Sequence, residues 1–203
     1  MVVSSIIVGC GSYVTHGFNK MTTTAVLGMV ATIVLTGALA YFSIGFAELS
    51  GFNTDETVYL NFNTRGAIDF AGLLLGGILI GTLGVLYDAA IGQAISVEEL
   101  ASAGPQLSRK EIYRRALRIG REHVGALVNT LAIAYVGASL PLLLLFYGFG
   151  TDSIEIALNR EIFATEIVRA IVGSIGLVLT VPITTAVAAY FLVRTSSELT
   201  QGT

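Results

Sequence analysis

The sequence predicts an all-α fold, a polytopic membrane helix bundle, and three observations carry that reading. Of the 203 residues, 54% are hydrophobic and 12% charged, against roughly 45–50% and about 25% in soluble domains. So little charge cannot cover a water-soluble surface of this size. The apolar residues also gather into runs long enough to cross a bilayer, which takes about 20 residues at ~1.5 Å each. Finally, the 23 glycines suit helices that approach one another closely in lipid.

The first apolar run, 2–14, is too short, because thirteen residues reach ~20 Å against a core of ~30 Å. It is expected to be a partial span that a longer parent chain or a partner completes. Cys10, the single cysteine, excludes an internal disulfide and a cysteine metal cluster, and is expected to be a small buried apolar residue. No basic leader with a small-residue cleavage site opens the chain, so no signal peptide is expected. Four full spans follow at 22–48, 68–95, 123–149 and 166–193. Pro141 should bend the third and Pro182 should kink the last.

The loops set the direction. Grouping alternate loops puts Lys20, Arg109, Lys110, Arg114, Arg115, Arg118, Arg121 and Arg194 on one side, with Arg65 and Arg160 on the other and Arg169 just inside the last span. The positive-inside rule makes the first side cytoplasmic, so the protein is expected in the cell (plasma) membrane with its C-terminus inside. Phe52, Tyr59, Phe62 and Phe163 are placed at the outer interface. The inner loop breaks at Gly104-Pro105 and restarts as a helix over 104–122. Ser108 and Glu111 have capping-box spacing, and Ile112, Ala116 and Ile119 recur on one side with arginines on the other. This reads as an amphipathic helix on the inner leaflet, anchored by anionic lipid.

Polar residues inside the spans mark the candidate site. Gly77, Gly81, Gly84, Asp88 and Gly92 follow at steps of three or four, which aligns them on one helix face. Such a stripe admits a close helix neighbour, so Asp88 is expected to face protein or enclosed water. Depth counting puts Asn129 on the antiparallel next span, and Thr184 and Thr185 beside Pro182, in the same inner half as Asp88, with Gln93 nearby. A carboxylate at the centre of a span costs at least ~2.5–3.5 kcal/mol and is a functional candidate by default. The competing reading is a carboxylate that ties two helices together through Asn129. At the outer end, Asp69 and Arg169 begin two spans at matching depth and form a candidate ion pair, with Glu166 as a local alternative partner for Arg169. His16 and His123 lie near the inner surface, where a histidine usually anchors.

The sequence has no HExxH, no GxxxxGK[ST] and no GxSxG, and Asp69 and Asp88 stand ~28 Å apart on one helix, too far for an aspartyl dyad. No enzyme activity, cofactor or metal is expected. The net charge of −3 argues against a nucleic-acid partner.

Three stretches carry a family resemblance: "THGFNKMTTTAVLG", "IGTLGVLYDAAIGQAISVEEL" and "LSRKEIYRRALRIGREHVGALVNTLAIAYVGASLPLLLLF". Over about 15–194, within a single transmembrane domain of 1–203, the chain resembles the YibE/F family of prokaryotic membrane proteins. The resemblance implies a shorter YibF-type half, or a truncated YibE-type chain, that forms a homo-oligomer or pairs with a YibE-like partner. Gly81–Asp88, Glu98-Glu99-Leu100, 108–121 and Asn129-Thr130-Leu131 are also similar in order to the membrane halves of SecD/SecF and related RND exporters. That similarity implies a proton-coupling role for Asp88. The expected function is therefore a transport or export component, with a structural or assembly subunit as the alternative.

Overall fold

In a computed structural model that describes residues 2–149 and 154–193, all regular structure among the described residues is helical. The helices are α1 (Val2–His16), α2 (Lys20–Phe46), α3 (Asp55–Thr64), α4 (Phe70–Ala103), α5 (Arg109–Ala138), α6 (Leu140–Phe149), α7 (Ile154–Leu158) and α8 (Glu161–Leu192). Three of them, α2, α4 and α8, are each long and apolar enough to cross a membrane. The chain is a multi-pass membrane protein. A fourth crossing exists only if α5 and α6, bent by 54° at their junction, count as one span. The expectation of four full spans and a partial one is thus met for three. The third apolar run is divided because Pro141 has no N–H for the helix ladder, and the chain breaks at Ser139, just before it.

Local chemistry starts the helices where polar side chains reach free backbone donors. Asn19 accepts from the Thr22 N–H at 2.7 Å, Asp69 from Gly72 at 3.1 Å and Ser108 from Glu111 at 3.3 Å. Thr54 and Thr57 form a reciprocal capping box that opens α3. Of the box expected at Ser108 and Glu111, half is realised. The Glu111 carboxylate instead accepts from Arg114 at 2.6 Å and Arg115 at 2.8 Å.

Around α8 stand α2, α4 and α5. At one end of the bundle the Arg109 Nε–H donates to the Val193 carbonyl at 3.0 Å, and its guanidinium lies 5.2 Å from the Tyr190 ring centre. At the other, Glu161 at the start of α8 accepts from the Ser50 hydroxyl and the Gly51 N–H, both at 2.6 Å. Gly51 is needed there twice over. Its φ of +82° is left-handed, and a β-carbon would collide with the Phe70 backbone.

Several expectations change in detail. α4 runs eight residues past 95 to Ala103, and α8 begins five residues earlier, at Glu161. The chain stays helical through Pro182. Cys10 is exposed. In the helix expected on the inner leaflet, Ile112, Ala116, Gly120 and Val124 are buried at every fourth position, while Ile119 is 47% exposed. Its apolar face packs on Val97 of α4, on Ala188 and Ala189 of α8, and on Val193 just beyond it. Protein, rather than lipid, covers that face, and the helix continues without a break into the next apolar run.

Candidate functional site

Large side chains decide which way α4 turns. Leu74, Ile78, Leu86, Ala90, Ala94 and Val97 are buried, because a face of bulky apolar groups removes more area from the surroundings than a face of glycines. The opposite face carries the stripe. Gly77, Gly81 and Gly84 are exposed, and nothing stands within 4 Å of where a β-carbon would lie. Gly92 alone of the four expected packing glycines has a neighbour at that range, His123 Nε2 at 3.8 Å. The close helix neighbour expected on the stripe is therefore absent from the described residues of this chain.

Asp88 shares that uncovered face. It is exposed, as is Asn129, and the described structure shows no hydrogen bond between them. The polar cluster expected around Asp88 is split. Thr184 and Thr185 are fully buried within the bundle, and Thr185 donates to the Val181 carbonyl. Gln93 is 3% exposed and turns inward, donating from Nε2 to the Ala116 carbonyl of α5 at 2.8 Å. Its carboxamide fills the space over Gly120, where a β-carbon would collide with Gln93 and Val181. Depth counting considers only rise along each helix, whereas helix rotation separates these residues by face, Asp88 and Asn129 exposed and Gln93, Thr184 and Thr185 buried.

The outer ion pair is also rearranged. Asp69 caps α4, and Arg169 pairs with Glu166 one turn away, Nη1 to Oε1 at 2.9 Å. The local alternative wins because an i,i+3 partner is held by the same helix, whereas Asp69 already serves the Gly72 N–H. The other Glu166 oxygen accepts from Ser139, at the α5–α6 break, at 3.3 Å.

A family model described as YibE/F-like protein matches residues 1–194. The chain belongs to the YibE/F family. Comparisons with curated proteins and with solved structures gave no match. In this YibE/F protein the sequence reading missed Glu166–Ser139, which links α8 to the α5–α6 break, and most of a set of buried unpartnered polar groups, of which it had named Thr184 and Arg169. The Thr22, Thr36, Thr165 and Thr184 hydroxyls, the Tyr135 hydroxyl and Arg169 Nε are buried with no hydrogen-bond partner among the described residues. The signal for several of them was present as threonines at helical spacing from glycines.

Proposed function

We propose that this YibE/F protein is a component of a membrane transport or export assembly, coupled to protons through Asp88. A second copy, or a YibE-like chain, completes it over the open face of α4 and α5. One observation carries the reading: an exposed carboxylate, with no partner among the described residues, stands in line with exposed glycines on a membrane-crossing helix. A carboxylate facing hydrocarbon costs ~2.5–3.5 kcal/mol or more, and bare glycines forgo the packing that holds membrane helices together. A second chain laid on this face relieves both, and places Asp88 and Asn129 at a subunit boundary, where protonation can alter contacts between chains. The positive-inside bias supports a cytoplasmic C-terminus in the cell membrane, and no catalytic role is assigned.

The bare glycine stripe also favours a second reading, a structural or assembly subunit that moves nothing. Purified protein in liposomes with an entrapped pH dye separates the two. On the transport reading, Asp88→Asn abolishes pH-driven flux while the protein elutes at its native assembly size. Unchanged flux refutes that reading, and lost flux with intact assembly refutes the structural one.

A further inference from the structure

The same short pattern occurs on two helices that run in opposite directions. α2 carries Gly28, Thr32 and Thr36, and α8 carries Gly176, Thr180 and Thr184. Each reads glycine, then threonine four and eight residues on, which stacks all three on one face. The two faces meet. A β-carbon on Gly28 would lie 2.6 Å from the Thr184 hydroxyl oxygen, and one on Gly176 would lie 2.5 Å from that of Thr36. The antiparallel register set by these contacts places Thr32 across from Thr180. The halves match in hydrogen bonding as well. Thr32 donates to the Gly28 carbonyl and Thr180 to the Gly176 carbonyl, both at 2.9 Å. Thr36 and Thr184, at 1% and 0% exposure, both lack a hydrogen-bond partner among the described residues. The interface is thus an inverted pair, with a satisfied threonine couple at its centre and an orphan hydroxyl on either side.

Further buried unpartnered groups continue the line at one end. Toward the start of α8 the Tyr135 hydroxyl lies over Gly173, followed by Arg169 Nε, beside its partner Glu166, and by Thr165. On α8, positions 165, 169, 173, 176, 180 and 184 fall at steps of three or four on one face. They extend ~28 Å, close to the ~30 Å hydrocarbon thickness.

A buried hydroxyl without a partner costs about 1–3 kcal/mol, and valine would fill the same space without that penalty. A dry, permanent seam has no use for such groups, whereas a seam that parts and admits water satisfies them.

We propose that this inverted Gly-Thr-Thr pair is a closed gate on a route for water and protons through the bundle, and that it opens by rocking of α2 against α8 about Thr32 and Thr180. Rocking one way bares Thr36 toward the Glu161 end. Rocking the other way bares Thr184 toward the Lys20 end. In transporters built of inverted-topology repeats, one repeat rocks against the other about a fixed site near the midplane, and the two-fold match of α2 and α8 allows the same motion on a smaller scale. Pro182, two residues from Thr184, removes one ladder hydrogen bond where α8 must flex. The inference deepens the transport reading by naming a route, and its test does not depend on flux through Asp88.

The test uses the full chain in liposomes with Cys10→Ser as background. Thr36→Cys and Thr184→Cys are each exposed to a charged, membrane-impermeant methanethiosulfonate, with Ile33→Cys and Leu177→Cys as buried controls on the same helices. An open state populated to about 1% makes the two gate positions react on the order of tenfold faster than the controls. Thr36→Cys should be reached from the Glu161 side and Thr184→Cys from the Lys20 side. Reaction no faster than the controls from either side overturns the gate. Thr36→Val and Thr184→Val give a second measurement. A gate predicts several-fold slower dye-reported proton entry, while a higher melting temperature with unchanged proton entry overturns it. Accessible gate cysteines together with unchanged flux in Asp88→Asn would remove the role of Asp88 and leave the gate standing.

Discussion

Gly28 on α2 and Gly176 on α8 each lie beneath a threonine of the other helix, closer than any side chain would allow, whereas Gly77, Gly81 and Gly84 on α4 face open space. In sequence the two sets look alike, small residues at helical spacing in apolar runs. In the bundle one set closes a seam within the chain and the other is left bare. Small-residue spacing says that a helix can be approached closely. It does not say which helix approaches. On α4 the bulky face, with Leu74, Ile78 and Leu86 buried, wins the contact with α2 and α8, and the glycines are turned away.

Placing the same residue on both faces should break this symmetry most strongly. Gly176→Leu drives a branched side chain into Thr36, so a loss beyond the ~1–3 kcal/mol usual for overpacking is expected, seen as unfolding or aggregation in detergent. Gly81→Leu should leave the melting temperature of the single chain unchanged and reduce the assembly size. Equal damage from both would erase the distinction between the faces.

A smaller effect tests the contact that holds α5 in place. Gly120→Ala should cost about 1–3 kcal/mol by displacing Gln93 and Val181. Adding Gln93→Ala should recover part of that loss, since the collision is with the carboxamide. A strictly additive double mutant would contradict the packing.

At the other end of the bundle, Asp69→Ala should cost about 0.5–2 kcal/mol as a lost helix cap. Because Asp69 and Arg169 have separate partners, Asp69→Ala and Arg169→Ala should add to within ~0.3–0.5 kcal/mol, while Glu166→Ala and Arg169→Ala should not.

The smallest effect is one of pH. Glu111, in the charged first turn of α5 ahead of the apolar run, is held below the usual glutamate range by hydrogen bonds from Arg115 and then Arg114. A depressed carboxylate pKa stabilises the fold above the unfolded-state value, and that contribution fades as pH falls through the lowered one. Glu111→Gln should therefore flatten the acid side of the melting profile slightly. Both arginines are solvent-exposed, so screening keeps the change small.

Much of the bundle was legible because it depends on local rules. Apolar run length located α2, α4 and α8, Gly104-Pro105 located the break before α5, Pro141 located the bend beyond it, and Ser108 located the start of α5. The sequence alone also carried the family, whose match spans nearly the whole chain. Rotation about each helix axis was decided by tertiary structure. It turned Gln93 inward and Asp88 outward, gave Arg169 to Glu166, folded the arginine-bearing helix onto α4 and α8, and set the threonines of α2 against the glycines of α8. Periodicity identifies a face, but which face is buried follows from competition among all the helices for apolar contact, and a single helix does not record that competition.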